Sequence, residues 1–122
     1  MIPEKKCMEL LTELCVPANL KGYRYLLYAI SLSVEDISMI DNTNRRLYPE
    51  IAKIHCTTTS AVERCIRHAI EVSFQRARRN VLEKYFGKRS DRVTCSEFIA
   101  TLVFVMLASE KIPISGSRFK YD

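Results

Sequence analysis

The amino-acid sequence predicts an all-α domain, a compact bundle of about six helices, and three observations carry that reading. Composition comes first: of 122 residues 48% are hydrophobic, tryptophan is absent, and there are only 3 glycines and 4 prolines. That is too few turn-formers for a sheet of many short strands. Second, apolar residues return every three or four positions along most of the chain, the period of a helix with one buried side. Third, S/T-x-x-E spacings, at Ser60–Glu63 and Thr94–Glu97, mark helix starts. The length suits a single domain, residues 1–122, with one core.

Taken in order, the first helix is expected over Pro3–Cys15, with Cys7, Met8, Leu11, Leu14 and Cys15 on one face and Val16-Pro17-Ala18-Asn19 stopping it. After Lys21-Gly22, a second helix runs from Tyr23 to Ser33, with Tyr23, Leu26, Leu27, Ile30 and Val34 at helical spacing. Its flanking Tyr25 and Tyr28 could stack on single-stranded bases, but aromatic residues on a mostly apolar helix belong more often to a core. A break near Ser33–Asp36 leads through Ile37 and Ile40 to a loop at Asp41–Asn44. A short helix then presents Tyr48, Ile51, Ala52 and His55 on one face, with Pro49 in its first turn, where the missing N–H costs nothing. It ends at Thr57–Thr59.

From Ser60 a long helix places Val62, Cys65, Ile66, Ala69, Ile70 and Ser73 on its buried side. Arg64, Arg67, His68, Glu71 and Gln75, with Glu63 on the flank, occupy the other. Ser60 and Glu63 are the expected capping box, with Thr57, Thr58 and Thr59 as alternative caps. Arg76, Arg78 and Arg79 continue the basic side to an end near Asn80. Val81, Leu82, Tyr85 and Phe86 form a short helix closed by Gly87, followed by the polar loop Lys88–Arg92. The last helix starts at Thr94 or Ser96 and runs through Phe98, Ile99, Leu102, Val103, Met106 and Leu107 to Glu110. It is apolar on most sides, either the central post of the bundle or a face that joins two copies. Residues 112–122 are expected to form a mobile tail.

Two helices joined by a turn of about three or four residues, the second long and polar on its free side, match the unit that docks in a DNA major groove. Residues 48–78 fit it, with Ala52 as the small residue at the crossing and Cys56 where such turns often carry glycine. Charge agrees. The net charge is +5, and residues 44–92 hold 12 basic against 5 acidic side chains, as a phosphate-facing surface requires.

Other function classes find little in the sequence. No glycine-rich phosphate loop and no histidine with a nucleophile partner suggests an enzyme. Cys7, Cys15, Cys56, Cys65 and Cys95 form an odd set without a C-x-x-C pair and read as small core residues in a reducing compartment. His55, Cys56, Cys65 and His68 are zinc-ligand types at a spacing no zinc motif uses, so neither metal nor cofactor is expected. The opening residues do not form a signal peptide, and the apolar run Phe98–Ala108 is too short to span a bilayer; a cytoplasmic location without membrane contact follows.

The runs VPANLKGYRYLLYAIS, LYPEIAKIHCTTTSAVERCIRHAIEVSF and CSEFIATL resemble the C-terminal effector domain of the sporulation master response regulator family of endospore-forming bacteria. That resemblance implies an all-helical, winged-helix-like or helix-turn-helix transcription-factor domain. It also implies binding to double-stranded DNA at a box similar to TGTCGAA, as a dimer on DNA, with contact to the RNA polymerase sigma subunit. Glu63, Arg64, Arg67 and His68 fall on the recognition-helix motif V-E-R-x-I-R-H-A-I-E. Ala61 departs from the family pattern, which often has an arginine there. Arg64 is the first choice for a bidentate guanine contact, Glu63 for a cytosine amine, and Arg67 and His68 for base edge or phosphate. Ser60, Lys53, Arg45 and Arg46 complete the expected DNA contacts. The alternative is a protein-interaction module using Tyr85-Phe86 or the last helix. Members of this family usually carry a phosphorylatable receiver domain ahead of the effector, and no stretch here resembles one.

Overall fold

Six α-helices and two irregular helical segments make up residues 4–88 and 93–110, the parts of the chain that the computed structural model describes. They are α1 (Glu4–Glu13), α2 (Lys21–Glu35), a 3₁₀ segment (Ile37–Asp41), a π-helical turn (Thr43–Leu47), α3 (Tyr48–Ile54), α4 (Thr59–Arg76), α5 (Arg79–Phe86) and α6 (Cys95–Glu110). The fold is all-α; the described residues contain no strand and hence no β-wing. The expected tail and the loop at 89–92 lie outside the described residues.

Two helices end in the same way, and neither uses glycine. After α1, the Val16 N–H donates to the Leu11 carbonyl (2.9 Å) and the Cys15 N–H to that of Thr12 (2.9 Å), with Cys15 at φ 61°. After α3, the Thr57 N–H reaches the Ala52 carbonyl at 2.9 Å and the Cys56 N–H that of Lys53 at 3.3 Å, with Cys56 at φ 54°. This paired closure satisfies the last carbonyls of a helix and puts one residue in the left-handed region. Cysteine fills that place twice, which corrects the reading of the cysteines as core residues. Cys7 is buried, Cys15, Cys65 and Cys95 are half-buried, and Cys56 is exposed. At α5 the expected glycine does the work, Gly87 at φ 72°. The expected capping box opens α6: Thr94 N–H donates to Glu97 Oε1 (3.0 Å) and Glu97 N–H to Thr94 Oγ1 (3.1 Å).

Helices α2 and α6 share the middle of the bundle. α2 packs against α1, α3, α4 and α6, and α6 also against α1, α4 and α5. Leu26, Ala29 and Ile30 of α2 meet Ile66 and Ala69 of α4 and Ile99, Leu102 and Met106 of α6 in one core, all wholly buried. The post role read for α6 thus falls to two helices. Two face assignments change as well: Met8 of α1 is 42% exposed, and Tyr28 is 40% exposed while Tyr23 and Tyr25 are buried. Tyr28 lies edge-on to His55, ring centroids 4.6 Å apart.

Candidate nucleic-acid interface

The α3–turn–α4 unit is built as the sequence suggests, with Pro49 opening α3 and Tyr48, Ile51 and Ala52 buried beneath it. The start of α4 differs. Thr58, extended at φ −102° and ψ 155°, caps the helix, its hydroxyl accepting the Ala61 N–H at 3.0 Å. The helix therefore begins before Ser60, whose backbone is already helical and so cannot cap it, and Glu63 is released from the expected box to pair with Arg67. The far end differs too. Ala77 turns extended (φ −72°, ψ 150°), so Arg78 and Arg79 lead into α5 rather than prolonging the basic side of α4.

What seats α4 is its contact with α2 and the turn after α1. Val62, Ile66, Ala69, Ile70 and Ser73 are buried, and the Ser73 hydroxyl donates to the Leu14 carbonyl at 2.7 Å. At Gly22 the two helices touch backbone to backbone: a Cβ there would lie 2.2 Å from the Cys65 carbonyl oxygen and 2.7 Å from Ala69 Cβ. Ala52 is buried at the α3 side, but the crossing that fixes α4 needs glycine on α2. Cys65, expected to be inaccessible, is half-buried because it stands at the edge of this contact.

On the opposite side Ser60, Arg64, Arg67, His68, Glu71 and Gln75 are all exposed. Their spacing places them in one stripe along α4, opposite Ile66 and Ala69. Arg67 is held by the ion pair with Glu63 one turn earlier. Arg64 and His68 make no hydrogen bond or ion pair among the described residues, which leaves Arg64 as the unengaged long donor of the stripe. Lys53 is exposed on α3. The two arginines before α3 are both exposed and differ in their partners: Arg45 makes no ion pair among the described residues, whereas Arg46 binds the Asp36 carboxylate (3.1 Å) and the Ser38 hydroxyl (3.0 Å). Asn44, beside them, shares a cleft with Arg67 of α4 and Ser96 of α6. Burial pushes the phenol of Tyr48, under the same cleft, above its usual range.

The aromatic pair considered as a docking point is engaged within the fold. The Tyr85 hydroxyl donates to Glu13 Oε1 at 2.6 Å, and Phe86 stacks on Phe98 (5.2 Å) and tilts against Phe74 (5.6 Å). Among the described residues no cluster of His, Cys, Asp or Glu could hold a metal, and no helix is long and apolar enough to cross a membrane. Sequence reasoning missed the contacts of Gly22 with α4, of Ser73 with the Leu14 carbonyl and of Asp36 with Arg46. A glycine inside an otherwise regular helical pattern was the available signal for Gly22. Set against known families, residues 7–106 match the model described as Sporulation initiation factor Spo0A C terminal.

Proposed function

We propose a function from one premise: the chain belongs to the sporulation initiation factor Spo0A C-terminal family. It is a DNA-binding effector domain that recognises a specific double-stranded sequence and regulates transcription, with α4 in the major groove. The observation that carries this is the two-sidedness of α4. Its apolar side is consumed by α2 and the core, and its polar stripe of Ser60, Arg64, Arg67, His68, Glu71 and Gln75 is exposed, with Arg67 paired to Glu63. A helix so seated in a helix-turn-helix presents its stripe to base edges.

Arg64 reads a guanine through O6 and N7, Glu63 and His68 serve neighbouring positions, and Arg67, steadied by Glu63, takes base edge or phosphate. Lys53, Arg45 and Ser60 supply backbone contacts that hold register. Arg46, exposed but paired with Asp36 at the surface, ranks behind Arg45 as a phosphate contact. A box similar to TGTCGAA and binding as a dimer belong to the same reading. Contact with the sigma subunit belongs to the same reading.

Titration of labelled duplexes with the wild-type protein and Arg64→Ala tests the central role. Loss of a bidentate guanine contact costs about 1–3 kcal/mol on the matched site and much less where that guanine is replaced. Equal losses on both duplexes would make Arg64 a phosphate clamp and move base reading to Arg67 or His68.

A further inference from the structure

The segment between α2 and α3 is tied to itself by a ladder of polar contacts that the α3–turn–α4 unit does not need. Asp36 accepts from the Ser38 N–H (3.1 Å) and hydroxyl (2.6 Å) through Oδ1 and from Arg46 Nη2 (3.1 Å) through Oδ2. Arg46 Nη1 donates to Ser38 Oγ (3.0 Å). Asn42 Nδ2 donates to the Ser38 carbonyl (3.1 Å), and the Arg46 and Leu47 N–H groups both turn back to the Asn42 carbonyl (2.8 and 3.1 Å). The result is a closed loop in which one of two adjacent arginines is used up and the other is not. Arg45 makes no ion pair among the described residues, is exposed, and lines a cleft with Asn44 and Ser96.

Asn44 and Ser96 also line the neighbouring cleft that contains Arg67 of α4, so this loop lies along one flank of the recognition helix. On that flank a DNA strand following the major groove would pass with its phosphates outward. The charge there is Arg45 rather than Arg46.

We propose that Asp36, Ser38 and Arg46 form a surface latch whose role is positioning: by tying Arg46 back to the start of the segment it fixes the π-helical turn and aims Arg45 and Asn44 at a backbone phosphate beside the recognition helix. The inference rests on the DNA-binding reading above and assigns to Asp36 and Ser38, which touch no DNA, a share in the register of α4 on the duplex. Asp36 supports the arrangement electrostatically as well, since the Ser38 hydroxyl first and Arg46 next hold its carboxyl below the usual range.

A double-mutant cycle tests the latch. Arg45→Ala is made in the wild-type protein and in Ser38→Ala, which opens the latch without changing charge, and in Asp36→Asn. Binding to one matched duplex is followed across a salt series, with circular dichroism confirming that each variant is folded. In the latched protein Arg45→Ala lowers affinity roughly five-fold and flattens the slope of log affinity against log salt by about 0.9, the value of one phosphate contact. In the unlatched backgrounds the same substitution changes affinity less than about two-fold and the slope by less than half as much. Equal effects of Arg45→Ala in all backgrounds, or none in the wild type, overturn the latch while leaving the recognition helix untouched. If the wild-type protein binds no duplex with sequence preference, the DNA-binding reading falls, and the latch with it.

Discussion

A single Cβ decides whether α4 can sit where it does. Gly22 leaves no room for one, since the carbonyl oxygen and carbon of Cys65 lie at 2.2 and 2.9 Å, backbone that cannot swing aside, with Ala69 Cβ at 2.7 Å. Gly22→Ala should therefore lose about 2–3 kcal/mol or fail to fold, at the upper end of the cost of core overpacking. Thermal unfolding of the purified variant measures it, and a wild-type midpoint would show that the helices do not cross there. The reverse holds at Cys56, where φ 54° is a strain that only the side chain creates. Cys56→Gly removes that strain at the price of a looser unfolded chain, leaving a net gain of up to about 1 kcal/mol. Both effects arise from residues that apolar spacing passes over: Gly22 reads as the end of a turn-forming stretch, and Cys56 stands where the turn of a helix-turn-helix often carries glycine. A left-handed residue or a backbone contact has no periodicity, so neither shows in a pattern of apolar spacing.

At the scale of elements, periodicity served well and end chemistry less so. The buried side of α4 follows from the recurrence of Val62, Ile66, Ala69, Ile70 and Ser73, and α6 from its apolar run and the Thr94–Glu97 box. The start of α4 was ambiguous because Thr57, Thr58, Thr59 and Ser60 are all competent caps. Only the backbone decides among them, and it turns extended at Thr58. Thr58→Ala should cost about 1 kcal/mol of stability, within the usual 0.5–2 range for a lost cap, while Ser60→Ala, inside the helix, changes little. Chemical denaturation of the two variants separates them; the opposite order would return the cap to Ser60. On DNA the pattern should invert. Ser60 heads the exposed stripe and its loss weakens binding, whereas Thr58 acts only through the helix it caps. The exposed stripe of α4 was legible because it is the complement of the buried one. Which arginine before α3 is free was not, because the tie to Asp36 spans ten positions and depends on how a 3₁₀ segment and a π-helical turn fold back.

Across the whole molecule, long-range polar ties hold elements that periodicity alone would leave loosely placed, and the clearest joins the first helix to the fifth. Glu13 at the end of α1 receives the Tyr85 hydroxyl at 2.6 Å and the Lys84 ammonium at 3.1 Å. The Tyr85 hydrogen bond, with help from Lys84 and against a small burial cost, holds the Glu13 carboxyl below its ordinary range. A carboxyl whose folded pKa is depressed stabilises the protein above its unfolded pKa, near 4, and loses that contribution as pH falls through the lower folded value. The basic side runs the other way. The Glu13 hydrogen bond raises Lys84, and burial, then Glu13, raises Tyr85, so their contributions are complete below their unfolded values near 10 and vanish as pH rises through the folded ones. The tie is thus a plateau between roughly pH 5 and 9 with a fall on either side. Because the groups are largely solvent-exposed, salt screens it, and its size is small beside the core. Glu13→Gln should lower the unfolding midpoint by a constant amount across that plateau, and the gap between variant and wild type should close as pH is taken below 4. Persistence of an undiminished gap at pH 2 would mean that Glu13 acts through packing alone and that α5 is held by the contacts of Phe86 with Phe74 of α4 and Phe98 of α6.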